Sequence, residues 1–173
     1  MNPSLHYPVE PRWYVIYVKS RAEKMVAQRL EKKNIACFLP MIKTVRQWSD
    51  RKKTVQAPLF NGYIFVQTDP SQFAEILMTP GAVKFIDHGN KHAVVRDSEI
   101  ELIRKFLETG IHMQSSPDHF SPGEKVRIRF GPLSGFRGEV IDIKNEKHFM
   151  VRLEAINQVL LVRVPQEHLQ KIQ

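Results

Sequence analysis

The sequence predicts an α+β architecture in two units: a ferredoxin-like α/β sandwich over residues 1–110 and a small all-β barrel over 120–173, joined by a linker over 111–119. Three observations carry this. Strand-period and helix-period segments follow one another as β-α-β-β-α-β-α up to Gly110, the order of an antiparallel sheet with helices packed against it. Residues 111–119 (IHMQSSPDH) have no periodicity and carry Ser, Pro and Asp. Beyond them only period-two alternation occurs, in short runs separated by turns.

Trp13–Val18 (WYVIYV) is aromatic and β-branched, as a central strand requires. Ser20 and Glu23 have the spacing of a capping box, and Ala22, Val26 and Leu30, with Met25, give the following helix its apolar stripe. Arg21, Lys24, Gln28 and Lys32 recur on another, mostly positive face, and Asn34 is a helix stop. Ile35–Val45 reads as a strand, and so does Thr54–Gln67, interrupted near Pro58 and Asn61-Gly62. Between them RQWSDRKK (46–53) reads as a hairpin tip with four basic side chains and a tryptophan. Asp69-Pro70 opens a short helix through Met78, Thr79-Pro80-Gly81 turns the chain, and Val83–Ile86 and Ala93–Val95 are extended. Asp97 or Ser98 caps a last helix lined by Ile100, Ile103 and Leu107, and Gly110 ends it. In the second unit Val126, Ile128 and Phe130 alternate with charged residues. So do Phe149, Val151 and Leu153, and then Leu160, Val162 and Val164, enough for a barrel of about five strands.

The formal net charge of +8 is not spread evenly: Lys19–Lys53 holds 11 basic and 3 acidic residues, and the rest of the chain balances to zero. A concentrated basic region is the footprint of a polyanion partner, with a solvated charged surface as the alternative. No segment approaches the roughly 20 apolar residues of a membrane span, and Met1–Pro11 lacks the pattern of a secretory leader. Cys37 stands alone, so no disulfide and no cysteine-based zinc site is expected, consistent with a reducing cytoplasm. His88 and His92 are four apart, but Gly89-Asn90 between them favours a loop over a helical metal pair. No nucleophile elbow, cofactor loop or Ser/Cys-His set is present, so neither an enzyme nor a cofactor is expected.

The most specific local motif is Gly131-Pro-Leu-Ser-Gly135-Phe-Arg-Gly138-Glu-Val140, three glycines between two strands with no Gly-Lys-Ser/Thr to make it a phosphate loop. Val126–Val140 resembles the KOW motif of small SH3-like barrels. WYVIYVKSRAEK, PLFNGYIFV and TPGAVKFI are similar to the N-terminal (NGN) domain of the NusG family, in the right order and over residues 12 to 172. WYVIYVK, PLFNGYIFV and RQWSDRKK most resemble the specialised RfaH-like and UpxY-like antiterminators.

That resemblance implies a transcription elongation and antitermination factor acting at specific operons, monomeric and cytoplasmic, with no membrane role. It implies that Tyr17, Phe60 and Tyr63, with Phe85, line a depression for the clamp helices of the polymerase β′ subunit. Core packing is the reading from residue type alone. Lys19 and Arg29 fall where RfaH-like proteins meet non-template DNA. With Arg21, Lys24, Arg51, Lys52, Lys53 and the hairpin tryptophan Trp48 they form the nucleic-acid candidate. Trp48 packing over its own hairpin is the alternative. The His-Thr-Thr element that RfaH-like proteins use on the β subunit is not reproduced at Gln72–Glu75. Phe136 resembles a contact to a small-subunit ribosomal protein or Rho, or else covers the barrel end. Two rival functions remain: a housekeeping NusG coupling polymerase to Rho or the ribosome, and a ribosome-associated KOW protein binding RNA.

Overall fold

The computed structural model describes residues 9–173, so most of the segment compared with a secretory leader lies outside the described residues. β1 (Arg12–Val18) is the centre of the first sheet, between β5 (Tyr63–Thr68) and β6 (Ala82–Phe85), with β2 (Ala36–Phe38) outside β5. All pairings are antiparallel, and the short β9 (Val94–Val95) also pairs with β1. Alternation along β1 sends Tyr14, Ile16 and Val18 to one face and Trp13 and Val15 to the other. The first face is covered by α1 (Glu23–Lys32) and α2 (Phe73–Leu77), the arrangement of a ferredoxin-like sandwich; the second is covered by α3 (Asp97–Thr109).

Several local expectations are corrected. The capping box at Ser20 does not form, because Arg21 adopts φ 66° and turns the chain before the helix begins at Glu23. Glu23 instead accepts a buried hydrogen bond from the Gly62 amide at 2.9 Å. Asn34, at φ 58°, does end the helix. The strand expected over Ile35–Val45 breaks at Leu39-Pro40, where proline has no amide to continue the ladder. Its second half, β3 (Met41–Gln47), pairs only with β4 (Lys52–Pro58), giving a separate two-stranded ribbon. Asp69 caps the turn before α2 by accepting from the Ser71 amide at 2.7 Å. β7 (Asp87–His88) and β8 (Lys91–His92) form a small hairpin. At α3 the capping position is Arg96, whose amide donates to Glu99 at 2.8 Å, rather than Asp97 or Ser98; Gly110, at φ 66°, closes the helix.

The second unit is all β. Its six-stranded antiparallel sheet runs β10 (Met113–Pro117), β14 (Gln158–Val162), β13 (Glu146–Leu153), β12 (Arg137–Ile143), β11 (Glu124–Ile128) and β15 (Leu169–Lys171). The segment read as a linker thus contributes a strand: Met113–Pro117 pairs residue for residue with β14, whose backbone edge would otherwise stand open. Val126 and Ile128 point inward as the alternation requires, but Phe130 does not. β11 ends at Ile128, and the chain turns at Gly131 (φ 82°), leaving Phe130 52% exposed. Gly138 has no room for a side chain, since a Cβ there would lie 2.6 Å from the Met150 carbonyl. No helix among the described residues is long and apolar enough to cross a membrane.

The two units share a core. One buried cluster runs from Trp13, Phe65, Ile103 and Phe106 of the first into Leu133, Phe149 and Leu160 of the second. Phe106 is at its centre, with ring centroids 6.4 Å from Phe136 and 6.1 Å from Phe149. Ser115 of β10 donates its hydroxyl to the Leu59 carbonyl, tying the joining strand to the first unit.

Candidate functional site

Four aromatic positions were expected to line one depression. Tyr17 and Tyr63 are cross-strand partners whose rings meet edge to face at 5.7 Å, with Tyr17 38% exposed and Tyr63 half-buried. Gly62 makes this possible, because any Cβ there would lie 2.8 Å from the Tyr17 ring. Phe60, next in the chain, is only 1% exposed and packs edge-on against Phe65 at 5.9 Å, inside the cluster shared by the two units. Phe85 is a correction. Its register opposite Ile16 puts it on the α1/α2 face, where it is 2% exposed against Tyr14, Phe73 and His92. The period-two pleat puts it in the layer opposite Phe65, so it cannot share a hollow with the others.

The apolar face on the α3 side is wider than the sequence reading had it. It includes Trp13, Phe65, Ile100, Ile103 and Phe106. Arg104 lies over the Phe38 ring at 4.2 Å and the Trp13 ring at 5.9 Å. Nothing local in the sequence separates such residues from ordinary core, because the same alternation serves both. Of these, Phe106 is the residue that meets the second unit, through Phe136 and Phe149.

The basic candidates divide. Arg21 and Lys24 at the start of α1 face the β3–β4 ribbon across an open cleft of about 490 Å³, and Arg46, Trp48 and Asn61 line it with them. Trp48 is 55% exposed; its amide donates to the Arg51 carbonyl at 2.8 Å and closes the tip. Arg46, in the same basic run, joins the candidates through its place in the cleft. Its cross-strand partner is Lys53, so the two project from one side of the ribbon, while Arg51 and Lys52 are exposed at the tip. Lys19 is exposed but outside the cleft, its amide bonded to the Gly81 carbonyl at 2.9 Å. Arg29 is occupied structurally: it donates to the Pro80 carbonyl at 2.6 Å and holds the Thr79–Gly81 turn.

Among the described residues no cluster of His, Cys, Asp and Glu could hold a metal ion. His92 pairs with Asp87 at 2.6 Å within the β7–β8 hairpin. Cys37 is half-buried, and burial, with Glu31 adding to it, pushes its thiol up to about 11, which leaves it protonated and unreactive at neutral pH. Phe136 packs on Phe106 of α3, so the surface expected to meet another protein is turned toward the chain's own first unit.

The profile of a family described as "Transcription termination factor nusG" matches residues 11–104, more than half of the chain. Transcription termination/antitermination protein NusG of Neisseria meningitidis is 27% identical over 150 residues, covering 79% of this chain and 84% of that protein. The Pseudomonas aeruginosa protein of the same name is 28% identical over 148 residues, with the same shares covered. The solved structure titled "Domain interaction in Thermotoga maritima NusG" covers 95% of this chain and 98% of its own with a TM-score of 0.56; at 21% identity it speaks for the fold alone.

Proposed function

The chain belongs to the NusG family of transcription termination and antitermination factors, and from that premise we propose that it rides on RNA polymerase and holds an exposed single strand of DNA. The family is one of transcription factors, not enzymes. The observation that carries the nucleic-acid part is the cleft in which Arg21, Lys24 and Arg46 surround an exposed Trp48. Arginine and lysine neutralise phosphates without reading sequence, and an indole exposed beside them stacks on an unpaired base. The non-template strand beside a transcribing polymerase offers both.

The polymerase part assigns the β′ clamp helices to the apolar face that begins at Tyr17 and Tyr63 and continues to Phe60 and Phe65. An apolar groove receiving a helix, with aromatic anchors, is an ordinary recognition mode. Only the tyrosine edge of this face is open; Phe60 and Phe65 are buried in the core the two units share. Phe136, which packs on Phe106, meets a ribosomal protein or Rho once the second unit moves off. A tenfold reduction in pausing needs about 1.4 kcal/mol of preference for the elongating state, within reach of one buried aromatic. The factor works as a monomer in the cytoplasm, with specific operons as its targets.

Transcription of a long template by purified polymerase tests this reading. We expect the wild-type chain to shorten pauses, Tyr63→Ala to weaken polymerase affinity, and Trp48→Ala to weaken retention on the exposed strand alone. Polymerase affinity unchanged by Tyr63→Ala, or strand retention unchanged by Trp48→Ala, would sink it.

A further inference from the structure

Arg127 on β11 and Arg137 on β12 are cross-strand partners, both exposed, and Gln170 of β15 is the next residue across. Directly opposed like charges in a sheet destabilise it unless something negative sits between them. Among the described residues no carboxylate forms an ion pair with Arg127, Arg129 or Arg137. The nearby Glu139 is already held by Arg152 at 2.9 Å and by the Gly123 amide at 2.6 Å. Arg127 finds only the Gln170 side-chain oxygen, at 3.1 Å. At the end of the same strand the exposed Phe130 carries the Arg129 guanidinium over its ring at 5.0 Å. A shallow hollow runs between Arg127, Phe130 and Gly135.

We propose that the second domain carries a single-stranded nucleic-acid site of its own, in which Arg127, Arg129 and Arg137 hold phosphates and Phe130 stacks on a base. Unpaired arginines around an exposed aromatic have the composition of a strand-binding platform. A duplex offers no free base face to Phe130, so the chemistry selects single strands. The turn that exposes the ring is built into the backbone: Gly131 adopts φ 82°, Ser134 donates its hydroxyl to the Arg129 carbonyl at 2.8 Å, and the Gly135 amide donates to the Ile128 carbonyl at 2.8 Å. The platform belongs to the barrel and is separate from the cleft at Trp48, so the chain could hold two strands or two stretches of one.

Amide chemical-shift mapping on the full ¹⁵N-labelled chain tests the site, using ten-nucleotide single strands of uridine RNA and thymidine DNA. A chain with R21Q, K24Q and W48A silences the first-domain cleft, so failure there is distinct from failure here. We expect shifts at Arg127–Phe130, Ser134–Arg137 and Gln170 to persist in that chain. Phe130→Ser should weaken the remaining affinity about tenfold, and each arginine changed to Gln should flatten the salt slope by about 0.7. Binding of either strand supports the site, and the RNA-to-DNA ratio identifies which strand it serves. Loss of the barrel shifts in the cleft-silenced chain overturns the proposal. So do equal shifts with polyglutamate, which would assign the surface to an acidic protein.

Discussion

At Gly62 the backbone adopts φ 82°, the amide donates to the buried carboxylate of Glu23, and the absent side chain leaves space for the Tyr17 ring. Gly62→Ala meets both the φ strain and the 2.8 Å approach, so it should cost about 1–2 kcal/mol or more, read as a lower urea midpoint, and should displace Tyr17. Arg21 presents the opposite case, a non-glycine residue held at φ 66° at the mouth of the cleft. Such strain persists where function keeps the side chain. Arg21→Gly should therefore raise stability by about 1 kcal/mol while lowering affinity for a single-stranded oligonucleotide. A variant both less stable and equally tight would contradict the assignment of Arg21 to binding.

Among the elements, the β3–β4 ribbon is the one most free of the fold. It pairs with no other strand, and its outer half is exposed on both sides. Replacing Gln47–Lys52 by Asn-Gly, a turn suited to a two-residue hairpin, keeps Arg46 opposite Lys53. The expected result is an unfolding midpoint within about 0.5 kcal/mol of the parent, since few buried groups are touched. Oligonucleotide affinity should fall about tenfold with the loss of Trp48 stacking. If affinity is unchanged, the ribbon is not the contact. α3 behaves in the opposite way: its buried Ile100, Leu102, Ile103 and Phe106 tie it into the core shared with the barrel, so it is structural from both sides.

For the whole molecule, the question is how the two units stay together. Phe136→Ala removes a ring that lies against Phe106 at the edge of the core the two units share. It should speed hydrogen exchange along α3 and increase affinity for polymerase, because the covered face opens more readily; a decrease in affinity would place Phe136 on the polymerase side instead. Within the second unit, Arg152 pins the segment before β11 to the barrel: it pairs with Asp118 and Glu139 and donates to the carbonyls of Phe120 and Ser121, both at 3.1 Å. Burial works to raise the Glu139 carboxyl, but hydrogen bonds from Arg152 and the Gly123 amide outweigh it and hold it below the ordinary range. A carboxyl with a lowered folded value stabilises the fold fully above its unfolded value and loses that contribution as pH falls through the folded one. Proteolysis of the 118–121 segment should therefore accelerate below about pH 4, and Glu139→Gln should abolish that step.

Period and punctuation alone were enough for the α+β class, the helix ends at Asn34 and Gly110, and the glycine turn of the barrel. These are local signals, written in the residues that make them. The resemblance of WYVIYVKSRAEK and PLFNGYIFV added the family. Tertiary structure decided the rest, for one physical reason: a strand's alternation names two faces but not what covers each. Only the fold put Phe85 under the helices and Phe60 against Phe65 inside the core, occupied Arg29 with a carbonyl, and brought Arg46 and Trp48 across from Arg21. It also turned Phe130 outward beside unpaired arginines, which the alternation had assigned to the core.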